Sequence, residues 1–165
     1  MRETAFWKTV TMDRSAFLDE LIALLDAHAI RYCVVGGQAV NAYAEPVVSL
    51  DLDIVIAVED LSRAESLLAE RFAVERHPHS VNVSQHDSDL RVQVQTDPRY
   101  AAFVARATRH RILGVELPVA ALEDVLRGKV WAASDPARRP SKRLKDLADI
   151  ARLIEVAPHL RSALP

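Results

Sequence analysis

The strand-like run Leu50-Asp51-Leu52-Asp53-Ile54-Val55-Ile56 constrains this chain most. Its branched apolar residues predict a buried β-strand, and period-two alternation places Asp51 and Asp53 on one face, with Cα atoms about 7 Å apart. Crowding two carboxylates on a half-buried strand is costly unless a cation or hydrogen-bond donors compensate. Two arrangements satisfy that requirement: the pair converges on one divalent ion such as Mg²⁺ or Mn²⁺, or the strand end projects into solvent.

The rest of the chain predicts a sheet with helices packed on it. A helix capped by Ser15 runs to about His28 on a stripe of Leu18, Leu21, Ile22 and Leu25. Tyr32–Val35 reads as a short strand closed by Gly36-Gly37, followed by a helix over Gln38–Tyr43 that stops before Pro46. Downstream of the aspartates, Asp60 is placed to cap a helix through Arg71, and strands are predicted over Phe72–Arg76, Val81–Ser84 and Leu90–Gln95. A helix over Pro98–His110, an extended Arg111–Leu117, and helices over Val119–Ala132 and Ser141–Val156 complete the pattern. The last helix takes Leu144, Leu147, Ile150, Ala151 and Ile154 as its inner stripe. The class is α/β (α+β): a mixed β-sheet flanked by helices, with C-terminal helices. At 165 residues the expectation is one domain, 1–165, with a core over about 15–118 and a helical part over about 119–157.

Composition narrows the class further. One Cys forms no internal disulfide, and the apolar runs fall short of the ~20 residues of a membrane span. With no basic-then-apolar leader, the expectation is a soluble, cytoplasmic protein with no membrane partner. The formal net charge of −2 argues against tight binding to long DNA. It conceals a division, because residues 1–98 hold 8 Lys+Arg against 16 Asp+Glu, while residues 99–165 hold 13 against 7. An acidic metal site facing a basic phosphate site would divide charge this way, as would an ordinary surface unevenly coloured along the chain.

Gly36-Gly37 adds a second element of chemistry, since glycines between strand and helix let backbone N–H groups approach a phosphate at a helix N-terminus. Taken together, Val34-Val35-Gly36-Gly37, the thirteen residues 38–50, and Asp51-Leu52-Asp53 resemble the signature of the nucleotidyltransferase superfamily. Ser49, two residues before the first aspartate, adds to the likeness. Arg143-Leu144-Lys145-Asp146-Leu147-Ala148-Asp149 resembles the C-terminal helix motif of the minimal, abortive-infection (AbiEii-like) toxins of that superfamily.

The resemblance implies transfer of a nucleoside monophosphate from an NTP to an RNA or protein acceptor, tRNA included. It also implies a place in a toxin–antitoxin pair, with an antitoxin as partner. On this reading Asp51, Asp53 and Lys145 are catalytic, and Asp51 and Asp53 hold Mg²⁺ or Mn²⁺. Gly36, Gly37, Ser49, Arg143, Lys145 and Asp146 contact the nucleotide. On residue spacing alone, Lys145 and Asp149 also form an ordinary i,i+4 pair on a solvated helix face.

Two departures stand out. The family's third carboxylate falls on the polar face of Arg91-Val92-Gln93-Val94-Gln95, where this chain has Gln93, a neutral amide that neither serves as a base nor anchors a second ion as a carboxylate does. Asp89 and Asp97 share its parity but lie four residues away. Val47 stands where many relatives carry Arg. A catalytically inactive module that binds a nucleotide or a partner protein is the alternative. His77, His79 and His86 read as loop polarity rather than a metal cluster, and Cys33 as a core residue.

Overall fold

The computed structural model describes residues 16–165. The Ser15 cap predicted for the first helix lies outside these residues. That helix, α1, occupies residues 16–27; it buries Leu18, Leu21 and Leu25 of the predicted stripe, leaves Ile22 half-buried, and adds Phe17 and Leu24 to the core.

Seven strands form one mixed sheet: β1 (Tyr32–Val35), β2 (Asp51–Ile56), β3 (Ala73–His77), β4 (Ser80–Ser84), β5 (Arg91–Gln95), β6 (Thr108–Ile112) and β7 (Val115–Val119). Their spatial order is β3-β4-β5-β2-β1-β7-β6. β2 therefore lies at the centre, antiparallel to β1 and parallel to β5. Helices α2 (Gly36–Tyr43), α3 (Leu61–Arg71), α4 (Leu122–Ser134) and α5 (Pro140–Val156) flank the sheet.

Alternation along β5 explains how one strand serves both the core and a polar surface. Leu90, Val92 and Val94 are buried, while Arg91 is exposed and Gln93 and Gln95 are partly so. The buried residues join one apolar cluster with Phe17 and Leu25 of α1, Leu68 of α3 and Leu52, Ile54 and Ile56 of β2.

Four expectations need correction. Asp60 supplies no side-chain cap to α3; its carboxylate accepts instead from the Arg31 backbone N–H at 3.0 Å and from the guanidinia of Arg31 and Arg63. Pro98–Arg106 is a 3₁₀ helix, and the expected helical turn beyond it is strand β6. The cause is the Leu113-Gly114 turn, whose residues both have positive φ (51° and 80°), the geometry of a two-residue turn that folds β6 onto β7.

The Gly pair is not a loop before α2 but the first turn of the helix itself. Finally, α5 buries Asp146 and Asp149 beside Leu153 and Ile154; of the predicted stripe Ile154 is buried and Ile150 half-buried, whereas Leu144 (68%), Leu147 (49%) and Ala151 are exposed, so the inner face of the helix's first half is carried by carboxylates instead of leucines. Among the described residues, no helix is long and apolar enough to cross a membrane.

Candidate active site

The polar face of β2 and β5 forms the floor of a cleft of about 580 Å³. The parallel register pairs Asp51 with Arg91 and Asp53 with Gln93, so these four side chains emerge from the same face in two adjacent rows. The second row continues through Asn82 of β4 to Glu75 of β3. Gln93 therefore lies directly beside Asp53, and Asp89 and Asp97 do not reach the cleft. Asp97 instead caps the following 3₁₀ helix and binds Arg99 at 2.8 Å.

Asp53 is the most constrained group of the floor. A Cβ at Gly36 would overlap its Oδ2 and lie 3.1 Å from its Cβ, and Gly36 has φ +69°. A glycine is required there on both counts. Burial pushes the Asp53 carboxyl up to about 6; Lys129 opposes that rise and the neighbouring Asp51 adds to it. Asp51 is half exposed and carries an ion pair with Arg91, Nε to Oδ1 at 3.0 Å. Ser49 fixes the approach to β2 by accepting from the Asp51 N–H at 3.2 Å, while its carbonyl accepts from Gln38 Nε2 at 3.1 Å.

Helices α4 and α5 and the loop between them form the opposite wall. Lys129 of α4, nearly buried, bridges two carboxylates of α5: Asp149 at 2.8 Å and Asp146 at 3.3 Å. Arg138 clasps Asp146 through two hydrogen bonds of 2.8 and 3.0 Å, and Arg152 binds Asp149 at 2.8 Å. Two buried carboxylates are thus neutralised by three cations, as their burial demands. Arg139, Lys142 and Lys145 also line the cleft, and among the described residues none of them has a carboxylate partner. A divided electrostatic field results: carboxylates on the sheet, free cations on the helical rim.

The sequence-predicted residues separate accordingly. Gly36, Gly37, Ser49, Asp51, Asp53, Gln93, Lys145 and Asp146 all line this cleft. Arg143 does not: its guanidinium donates to the carbonyls of Ala133 at 3.1 Å and Asp135 at 2.8 Å, tying α5 to the end of α4. Asp146 reaches the cleft with both carboxylate oxygens engaged by cations, and Lys145 makes no i,i+4 bond to Asp149. Lys129 went unpredicted, since no local motif marks it; the one available signal was the pair Asp146 and Asp149, three residues apart on one helix face and in need of a cation.

Among the described residues, no group of three or more His, Cys, Asp and Glu side chains gathers to cage a metal. Asp51 and Asp53, with the Gln93 amide in register, instead offer the oxygen donors that suit a Mg²⁺ or Mn²⁺ ion sharing its remaining ligands with substrate phosphates and water. A second hollow of similar volume, bordered by Arg31, Tyr32, Ala101 and Pro118, gathers none of these groups.

No family model matches the chain, and no curated protein matches it. Solved structures do. The antibiotic-resistance factor ANT(2'')-Ia superposes with a TM-score of 0.57 at 15% identity over 90% of this chain and 91% of its own. The lincosamide antibiotic adenylyltransferase LnuA, bound to lincomycin, gives 0.55 at 11% identity over 82% and 95%. A nucleotidyltransferase-like protein from Paracoccidioides brasiliensis gives 0.57 at 19% identity over 88% and 77%.

Proposed function

From a nucleotidyltransferase fold, we propose that this chain transfers a nucleoside monophosphate from an NTP to an acceptor hydroxyl. The observation that carries the proposal is the divided cleft, in which Asp51 and Asp53 of the sheet and Arg139, Lys142 and Lys145 of the helical rim line one cavity. Asp51 and Asp53 would hold Mg²⁺ or Mn²⁺, which when bound neutralises triphosphate charge. Gly36 and Gly37 open α2, where unpaired backbone N–H groups and the helix dipole favour phosphate oxygens. Lys142 and Lys145 compensate the β- and γ-phosphate charge from the opposite rim.

In the reaction, the acceptor oxygen attacks the α-phosphorus and forms a new P–O bond. The bond from the α-phosphorus to the bridging oxygen breaks, pyrophosphate leaves with the electron pair, and the acceptor proton passes to water because Gln93 is no base.

The C-terminal helix resembles that of AbiEii-like toxins, which favours an RNA end or a protein hydroxyl as acceptor and an antitoxin as partner. LnuA, with the same fold, is an adenylyltransferase for a small antibiotic, so hydroxylated small molecules form the second acceptor class to screen. Incubation with each α-labelled NTP, Mg²⁺ or Mn²⁺, and tRNA, protein or lincosamide acceptors should label one of them. Asp51→Ala and Asp53→Ala should each abolish labelling. Equal labelling by these variants would overturn the proposal.

A second reading, a nucleotide-binding module without turnover, is favoured by Gln93 at the third position beside Asp53. Calorimetric NTP binding with no transfer to any acceptor would select it.

A further inference from the structure

We propose that Arg91 takes the place of a second metal ion, so that the cleft works with one divalent cation and one guanidinium. This inference rests on the reading of the cleft as a monophosphate-transfer site. It begins from the register: Arg91 and Gln93 are the β5 partners of Asp51 and Asp53, and all four share one face. A pair of metal ions about 4 Å apart needs bridging anions to offset their repulsion. Here the floor supplies two carboxylates, and Arg91 already engages one oxygen of Asp51 at 3.0 Å.

Among the described residues, no other carboxylate lining the cleft is both free and near enough to complete a second site. Asp146 and Asp149 are engaged by Lys129, Arg138 and Arg152. Asp124 is buried between Arg106 and Arg127. Glu75 lies two strands from Gln93, a separation of about 10 Å. A second dication would therefore meet a neutral amide on one side and a guanidinium on the other.

Arg91 is suited to the role it displaces. Only its Nε is engaged; among the described residues its two Nη groups make no hydrogen bond or ion pair. The side chain is 73% exposed, so the existing pair is weak and re-aims at little cost when a phosphate arrives. A planar fork of donors beside Asp51 presents its free Nη edge to a non-bridging oxygen of the α-phosphate, where negative charge accumulates as the acceptor bond forms and the pyrophosphate bond breaks. Gln93 can then donate its amide N–H to the same phosphate or accept from the acceptor hydroxyl, both tasks that need no charge.

The test counts ions. With the protein in excess over an α,β-methylene NTP analogue, Mn²⁺ is titrated and the free ion followed by electron paramagnetic resonance. Wild type should hold one Mn²⁺ per bound analogue, and the Arg91→Ala/Gln93→Asp double variant should hold two. Two ions on wild type would overturn the inference, whether or not the double variant folds, as would a single ion on a folded double variant. Arg91→Ala alone should lower kcat about 10²-fold with a far smaller change in KM, the size expected for loss of one donor to transition-state charge, and Arg91→Lys should recover part of it. An unchanged kcat would also overturn it. Two ions together with label transfer would reject the role of Arg91 and leave the transfer reading intact. Absence of both analogue binding and label transfer would reject the transfer reading itself.

Discussion

Gly36 and Gly114 both sit at positive φ, yet a side chain would meet different surroundings at each. At Gly114 there is nothing within 4 Å of an added Cβ, whereas at Gly36 the Asp53 carboxylate occupies that space. Gly114→Ala should therefore cost only the left-handed backbone penalty, about 1–2 kcal/mol in chemical denaturation, and leave transfer unaltered. Gly36→Ala should carry the same penalty and also displace Asp53, with transfer lost by about 10²-fold or more in a label assay.

Asp53 itself sets a trade between stability and function. Its carboxyl titrates near 6 when folded and near 3.8 when unfolded, so between these values the native state holds the extra proton. The metal-free protein should lose stability as pH rises through that window, and the loss then stays constant at higher pH. Asp53→Asn should consequently stabilise the metal-free protein by on the order of 1–2 kcal/mol at pH 7.5, and the gain should vanish by pH 4 in parallel urea titrations. Asp51 and Asp53 were legible in sequence because alternation along a strand is a strict rule, whereas Gln93 was singled out only through the resemblance to the nucleotidyltransferase pattern. Nothing of that kind announces Arg91 as the partner of Asp51, because its role depends on register between two strands separated by α3 and a hairpin.

At the scale of elements, α5 was the place where hydrophobic patterning misled. Leu144 and Leu147 have the spacing of a core stripe, but the face turned inward carries Asp146 and Asp149. Lys129 of α4 and Arg138 of the connecting loop make that orientation tolerable, and neither is visible to a periodicity argument confined to one helix. Removing the buried cation should be severe: Lys129→Met leaves two carboxylates short of a partner and should cost about 3–5 kcal/mol in chemical denaturation. Leu144→Gln and Leu147→Gln, judged core substitutions from sequence, should change stability by no more than about 0.5 kcal/mol. The β6–β7 hairpin was missed for a related reason. Its Leu-Gly turn needs positive φ at a leucine, a choice that turn statistics do not favour and that pairing against β1 makes worthwhile.

Across the whole molecule, the acidic first part of the chain supplies the sheet floor and the basic second part supplies the helical rim, so a net charge of −2 conceals two facing fields. NTP affinity should fall several-fold as salt rises from roughly 0.05 to 0.5 M, because the rim cations are exposed enough for ions to screen them. Lys142→Ala and Lys145→Ala should each raise KM for the NTP more than they lower kcat, in steady-state assays with pyrophosphate release as the readout.

Cys33, the lone thiol, sits fully buried on β1 next to the strand that carries both aspartates, and burial pushes it up to about 12. Such a thiol meets an alkylating reagent only when the central strands part. Its labelling rate under native conditions thus works as a clock for opening of the sheet, and the slowing of that clock by an NTP measures how much of the fold's stability passes through the cleft.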